Sequence, residues 1–174
     1  SNQVKTELCR GDLPPKAVAR AEAYGVLLFC HSFTDGEVKI VTGCLAFARR
    51  LPELFRRAFR VTFDHQPEEL SHGKATFLIT EEKKRYAIGE ALGYDPAATL
   101  AHHINLALLE EDACRTAFLR GAFLAGGSVS DPAKSYHLEL CTSHYSVSRE
   151  LSALLREVGF EPKQTTRKSN YVTY

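Results

Sequence analysis

The 174-residue sequence predicts an α+β fold built from two similar halves. The first observation is an internal repeat: Gly25 aligns with Gly121 at a separation of 96 residues, and Arg49 aligns with Arg149 at a separation of 100. The four extra residues fall in the polar stretch SDPAKS, where a loop insertion costs little. The second observation is that segments with helical spacing and segments with strand alternation follow one another in the same order in both halves.

Each half begins with a helix that contains a central glycine. The first runs from Lys16 to about His31, and its duplicate runs from Asp112, the predicted N-cap, to about Gly126. A glycine inside a helix costs about 1 kcal/mol relative to alanine, so it needs a compensating reason. We expect Gly25 and Gly121 to let the two helices pack closely against each other.

An alternating strand follows each of these helices, EVKIV in half one and YHLEL in half two. Alternate residues of a strand point to opposite faces of a sheet. The residues predicted to face the core are therefore Val38, Ile40, Leu138 and Leu140. Lys39 is predicted on the opposite face.

The second helix of each half, FARRLPELFRRAF or VSRELSALLREVG, has apolar residues at three- and four-residue spacing. This spacing leaves five arginines outside the core, namely Arg49, Arg56, Arg57, Arg149 and Arg156. A hairpin closes each half: FEPKQTTRKSNYVTY turns near residues 168–170, and RVTFDHQPEELSHGKATFLIT has a longer loop. Residues 83–111 are predicted as two helical pieces, broken at GYDP, that connect the halves.

The chain is thus predicted to be one pseudo-symmetric domain over residues 1–174. Half one covers about 1–82, the connection about 83–111 and half two 112–174. The net charge of +1 and the pI near 7.7 give no global electrostatic argument for nucleic-acid binding. No signal or membrane-spanning segment is apparent, and five cysteines without a Cys-x-x-Cys pair predict reduced thiols and no zinc site. A cytoplasmic location is expected.

The stretches QVKTELCR and RTAFLRGAFLAGGSVSDPAKSYHLEL resemble the WhiA family of bacterial sporulation and cell-division transcription regulators. The order of helices and strands resembles the LAGLIDADG homing-endonuclease fold. These resemblances imply two α-β-β-α-β-β halves, two central interface helices and saddle-shaped antiparallel sheets. They also imply a nucleoid-associated protein that continues into a C-terminal helix-turn-helix domain, for which the sequence has no room after Tyr174.

The resemblance raises the question of metal-dependent cleavage. In the nucleases, the eighth motif position of each central helix is an acid that holds divalent metal ions, because phosphodiester hydrolysis needs a hard cation held by oxygen ligands. Laid on this sequence, those positions are Cys30 and Gly126. Neither side chain offers an oxygen, so no catalytic residue, metal or cofactor is predicted.

Other residues with metal-binding or nucleophilic side chains favour simpler interpretations. Asp35 and Asp131 are expected to initiate turns and cap backbone amides, with a relocated metal site as the alternative. Cys30 beside His31 is not expected to form a nucleophilic dyad, because adjacent helical residues point about 100° apart. For the same reason His102 and His103 are not expected to bind one metal ion.

The remaining surface chemistry is basic. In the nucleases the sheet face away from the helices lies in the DNA major groove. The DNA-binding candidates are Lys39, Lys83, Lys84, Arg85, Lys163, Arg167 and Lys168. The alternative is a solvated charged surface, since glutamates lie nearby in the sequence.

Three functions compete at this stage. The favoured one is a non-catalytic N-terminal domain of a DNA-binding transcription regulator, which binds DNA weakly or only together with the helix-turn-helix domain. The second is a protein-interaction or ligand-sensing module, with another regulator or RNA polymerase as partner. The third is an active LAGLIDADG nuclease, which Cys30 and Gly126 oppose. A monomer is expected because the pseudo-twofold interface forms within one chain.

Overall fold

The computed structural model describes residues 1–71, 73–94, 102–130, 133 and 137–174. A short helix α1 (Asn2–Leu8) precedes half one. Half one contains α2 (Lys16–Phe29), β1 (Ser32–Phe33), β2 (Val38–Thr42), α3 (Leu45–Phe59) and β3 (Ala75–Ile79). The connection contains α4 (Glu82–Ala91) and a 3-10 helix (Leu106–Leu109). Half two contains α5 (Asp112–Gly126), β4 (Gly127–Val129), β5 (Leu138–Thr142), α6 (Tyr145–Glu157), β6 (Gln164–Arg167) and β7 (Asn170–Thr173).

Helices α2 and α5 cross at their glycines, as predicted. A Cβ atom on Gly25 would lie 2.8 Å from the amide nitrogen of Ala122, and one on Gly121 would lie 2.9 Å from the carbonyl carbon of Glu22. Only a residue without a side chain permits this approach of two backbones. The helix α5 spans Asp112–Gly126 as predicted, but Glu111 rather than Asp112 occupies the N-cap position.

The strands form two antiparallel sheets, ordered β1-β2-β3 and β4-β5-β7-β6. Val38, Ile40 and Leu140 face the core as predicted and are buried. Leu138 is 51% exposed, so its predicted core position was wrong. It pairs with Val129 at the outermost register position of β4 and β5, where coverage by the helices ends.

The closing hairpin of half two is confirmed. Strands β6 and β7 pair from Gln164↔Thr173 to Arg167↔Asn170. Lys168 and Ser169 form the turn with φ of 49° and 69°. Two consecutive positive φ angles match the right-handed twist of a two-residue hairpin.

The predicted hairpin of half one was wrong in one of its two strands. Only β3 is a regular strand, and its partner segment is reduced to a single bridge between His65 and Leu78. The neighbouring Asp64 accepts hydrogen bonds from the amides of Thr80 and Glu81 at 2.6 and 2.8 Å, which turns the chain at the end of β3. Half one is therefore α-β-β-α-β, with the single bridge at His65 standing before β3 where the other strand of the hairpin was predicted.

The described residues of the connection contain two helical pieces, of which only the first is an α-helix. The second is a four-residue 3-10 helix in which the Asn105 side chain accepts a hydrogen bond from the amide of Ala107. The predicted break at GYDP begins at Gly93, which has φ of +76°, and continues into residues 95–101, outside the described residues. Within the described ranges, none of the helices combines the length and apolar character needed to cross a membrane.

Candidate functional site

Cys30, which the resemblance aligns with the first acid position of the nuclease motif, is the C-cap residue of α2. Its thiol donates to the carbonyls of Leu27 and Ser32, both at 3.2 Å. Desolvation raises the pKa of Cys30 to about 12. Because the thiolate is the form that attacks or binds metal, this neutral and hydrogen-bonded thiol is suited to neither role.

Gly126, which the resemblance aligns with the second acid position, is the last residue of α5. A Cβ atom there would lie 2.5 Å from the carbonyl oxygen of Cys141 and 2.7 Å from that of Phe29. Both contacts are with backbone, so an aspartate fits only if the helix or strand moves. The pair Cys30 and Gly126 therefore offers no oxygen ligand, and the space for one is closed on the α5 side.

No other cluster of three or more His, Cys, Asp or Glu residues suited to a metal ion occurs within the described part of the chain. Asp35 is exposed, and the Thr34 hydroxyl rather than the Asp35 carboxylate accepts from the amides of Gly36 and Glu37. The predicted capping role of Asp35 was therefore wrong. Asp131 lies outside the described residues, so its pairing with Asp35 stays untested.

The adjacent residues His102 and His103 contact different partners. This agrees with the prediction that they do not bind one metal ion together. His102 stacks on Phe33, with ring centroids 4.4 Å apart, and its Nε2 lies 2.7 Å from the Phe33 carbonyl oxygen. His103 Nδ1 lies 3.0 Å from a carboxylate oxygen of Glu150. His102 also contacts the ring of His144 at 4.5 Å.

The side of the two sheets that faces away from the central helices is here called the outer face. The strand registers place three of the candidate cations on it, Lys39 in β2, Arg167 in β6, and Lys163, whose backbone pairs with Tyr174. Lys168 lies at the tip of the β6–β7 hairpin. The predicted basic residues of the strands are thus brought to one side of the molecule.

The outer face is asymmetric in charge. The repeat aligns Lys39 of half one with Glu139 of half two. Arg167 donates to both carboxylate oxygens of Glu139 at 3.1 Å, and His137 Nε2 lies 2.9 Å from one of them. The hydrogen bond from Arg167 is the main cause that lowers the pKa of Glu139. Within the described ranges, Lys39 has no hydrogen-bonded or ion-paired partner.

The other candidate cations, Lys83, Lys84 and Arg85, lie on α4 and in neither sheet. Lys84 Nζ lies 2.6 Å from Asp64, and Arg85 Nε donates to the Thr80 carbonyl at 3.2 Å. Partial burial raises the pKa of Asp64, but hydrogen bonds from Lys84 and from two backbone amides outweigh it and lower this pKa well below its usual range. Lys84 therefore ties α4 to the end of β3, while Lys83 is exposed.

A buried charge network at the helix crossing was missed by the sequence analysis. Glu22 of α2 is fully buried and accepts from Arg50 of α3 through two hydrogen bonds, at 2.7 and 2.9 Å. Arg120 of α5 donates to the same carboxylate at 3.2 Å. The available signal was a single acidic residue within an alanine-rich helix.

Comparison with known proteins agrees with the duplicated arrangement of helices and sheets described above. Residues 115–174 match the family model of the WhiA LAGLIDADG-like domain. Over its whole length the chain is 34% identical to a probable cell division protein WhiA of Ruminiclostridium cellulolyticum, and it spans 58% of that protein.

Two solved structures share the fold. The N-terminal LAGLIDADG domain of WhiA superposes with a TM-score of 0.70 at 18% identity, over 99% of this chain and 81% of that one. The nuclease I-DmoI in complex with DNA and Mn superposes with a TM-score of 0.58 at 13% identity, over 90% of this chain and 88% of that one. The fold is therefore that of the LAGLIDADG homing endonucleases.

The sequence identity to WhiA proteins identifies one family within this fold class. The chain belongs to the WhiA family and corresponds to its LAGLIDADG-like domain. It spans a little over half the length of the relative from Ruminiclostridium.

Proposed function

We propose that this domain contacts DNA through the outer face without cleaving it, as the N-terminal part of a bacterial transcription regulator of cell division and sporulation. The observation that carries the proposal is the common placement of Lys39, Lys163 and Arg167 on the outer face. The same fold binds DNA in I-DmoI. Cations on a sheet face that fits a groove bind phosphates and position a protein without reading sequence.

The charge asymmetry predicts unequal contributions from the two halves. Lys39 is unpaired among the described residues, whereas the charge of Arg167 is offset by Glu139. Lys163 is exposed at the start of the hairpin. Lys39 and Lys163 therefore make the main phosphate contacts, and affinity for DNA is modest.

The proposed lack of nuclease activity is supported by Cys30 and Gly126. A neutral thiol and a glycine closed in by two carbonyl oxygens offer no hard ligand for Mg²⁺. A plasmid-nicking assay with Mg²⁺ or Mn²⁺ is expected to show no cleavage above background. Chelator-sensitive nicking by the purified chain would contradict this part of the proposal.

The DNA contact is tested by fluorescence anisotropy with a duplex of about 30 base pairs at about 50 mM salt, where phosphate contacts are strongest. The double variant Lys39→Glu/Lys163→Glu is expected to weaken binding by about tenfold or more, because each reversal adds repulsion to a lost contact. Arg49→Glu/Arg56→Glu is the matched control, since it changes net charge equally on exposed residues of α3. Equal losses in both variants would mean a nonspecific charge effect.

Absence of binding at tens of micromolar protein, roughly the strength of nonspecific DNA contacts, would contradict DNA contact by this domain. It would favour the protein-interaction alternative, with another regulator or RNA polymerase as partner. We further propose that the domain acts on the nucleoid and is monomeric, because α2 and α5 already form the pseudo-twofold interface within one chain. Sedimentation equilibrium tests the monomer.

A further inference from the structure

A polar cavity of about 340 Å³ lies on the helix side of half two, between α6 and the start of β6. Its lining residues are Tyr145, Arg149, Ser152, Ala153, Arg156 and Gln164. Gln164 is held in place, because its amide donates to the Ser148 carbonyl at 2.6 Å and to the Ser152 hydroxyl at 2.8 Å. These hydrogen bonds join the start of β6 to α6 at one side of the cavity.

The lining carries two guanidinium groups and no carboxylate. Arg149 donates to the Tyr145 hydroxyl at 2.9 Å and lies 5.7 Å from the centre of its ring, so the aromatic side chain orients it. The neighbouring Glu150 is engaged with His103 and the amide of Ile104. Glu150, which directly follows Arg149 in the chain, is thus engaged elsewhere.

The internal repeat supplies a comparison within the same chain. Arg149 and Arg156 align with Arg49 and Arg56 of α3, which have the same seven-residue spacing. Between them α3 carries Glu53, whereas α6 carries Ala153. Residues three and four apart on a helix are neighbours, so Glu53 lies within reach of both arginines of half one. Half two has no acid at this position, and Gln164 at the start of β6 lines the cavity beside it.

We propose that the cavity binds a free small anion that carries phosphoryl groups. Arginine presents a planar fork that matches phosphate oxygens, and two arginines seven residues apart lie about 10 Å apart along the helix. A ligand with linked phosphoryl groups can bridge them, and the Tyr145 hydroxyl, which accepts a hydrogen bond from Arg149, can donate its own proton to the ligand. The cavity lies on the helix side of the half-two sheet, whereas Lys39 and Arg167 lie on the outer face, so the two proposed sites do not overlap.

The test is isothermal titration calorimetry of the 174-residue chain with sodium tripolyphosphate in a phosphate-free buffer. One saturable site per chain is expected, and Arg149→Gln/Arg156→Gln weakens it by about tenfold or more, since charge-assisted bidentate bonds are lost. Arg49→Gln/Arg56→Gln removes the same net charge from α3 and is expected to change the affinity by less than about twofold.

A second variant keeps both arginines. Ala153 is exposed, and glutamate is a good helix former, so Ala153→Glu preserves α6 while restoring the acid that α3 carries. It is expected to weaken tripolyphosphate binding about as much as the arginine double variant.

Three results would overturn the proposal. They are no saturable binding, equal losses in the two arginine double variants, or unchanged affinity in Ala153→Glu. A loss of DNA affinity in Arg149→Gln/Arg156→Gln without any tripolyphosphate binding would assign the cavity to a DNA strand instead of a free anion.

Discussion

Glu22 and Arg50 form a bidentate ion pair in the core, with Arg120 as a third partner from the opposite half. The main chain of Glu22 is also the part of α2 that Gly121 approaches. The same turn of α2 therefore joins the backbone contact between the halves to a buried charge network. Removing one member of such a network leaves an uncompensated charge in the core.

We expect Glu22→Gln to destabilise the domain by about 3–5 kcal/mol, because Arg50 and Arg120 lose their counter-charge in a buried site. Urea unfolding measures the change. The double variant Glu22→Met/Arg50→Met is expected to be less destabilised than Glu22→Gln, since a buried pair replaced by apolar side chains leaves no unpaired charge at Arg50. A Glu22→Gln variant as stable as the wild type would contradict this account.

Gly121→Ala is expected to lower the free energy of unfolding by about 1–3 kcal/mol, because the added methyl group is forced against the backbone of α2. Gly43→Ala is the control: a Cβ atom there meets nothing within 4 Å, and its φ is not positive. We expect that control to stay within about 0.5 kcal/mol of wild type. If both variants behave alike in thermal denaturation, close packing at Gly121 is not what stabilises the crossing.

Restoring the nuclease-type acids is expected to fail. Gly126→Asp places a side chain against the carbonyls of Phe29 and Cys141, so it destabilises the domain by about 2 kcal/mol or more through overpacking and an unsatisfied carboxylate. The double variant Cys30→Asp/Gly126→Asp should accordingly gain no plasmid-nicking activity. Calorimetric titration with Mn²⁺ and the urea midpoint measure the two effects, and tight Mn²⁺ binding by a fully folded double variant would refute the prediction.

The stability of the domain is expected to depend on pH through His144. Burial, with His102 as a second cause, lowers the pKa of His144 to about 4, below its unfolded value near 6.5. Between pH 6.5 and 4 the unfolded chain therefore binds the proton more readily, so this contribution is present above pH 6.5 and is lost as the pH falls towards 4.

The variant His144→Asn removes this titration and retains a good N-cap residue at the start of α6. Its free energy of unfolding should fall less than that of the wild type between pH 7 and pH 4.5. Because the carboxylates titrate in both proteins, their contribution cancels in the difference between the two free energies of unfolding. Parallel pH profiles would show that His144 does not carry the effect.

Several features of the fold were predictable because they depend on local sequence. The internal repeat predicted the two halves, and the two glycines predicted the crossing of α2 and α5. Strand alternation predicted that Lys39 lies on the outer face. The Asp64 side chain accepts hydrogen bonds from two backbone amides at the end of β3, which lie 16 and 17 residues further along the chain. Local sequence therefore could not predict that the half-one hairpin lacks a regular first strand. Leu138 was misplaced for a related reason, since alternation cannot tell where coverage of a sheet by helices ends.

For the candidate site, the sequence predicted the loss of oxygen ligands at Cys30 and Gly126 but not the closure of the second position by carbonyl oxygens. It also treated the basic residues as equivalent. The structure separates them: Lys84 is bound to Asp64, Arg167 is bound to Glu139, and Lys39 lacks a partner among the described residues. Such pairings join residues that are 20 or more positions apart, where sequence spacing carries no information.

By itself, the amino-acid sequence determined the duplicated architecture, the apolar faces of the helices and strands, and the lack of a carboxylate at Cys30 and Gly126, which the resemblance aligns with the nuclease acids. These depend on residue type and on spacing within single elements. Only the tertiary structure decided which charged residues form ion pairs and which cations lie together on one face. It also decided that two arginines of α6 line a cavity beside β6 whose lining contains no acid. The physical reason is that charge pairing and enclosure depend on distances between elements, and folding alone sets those distances.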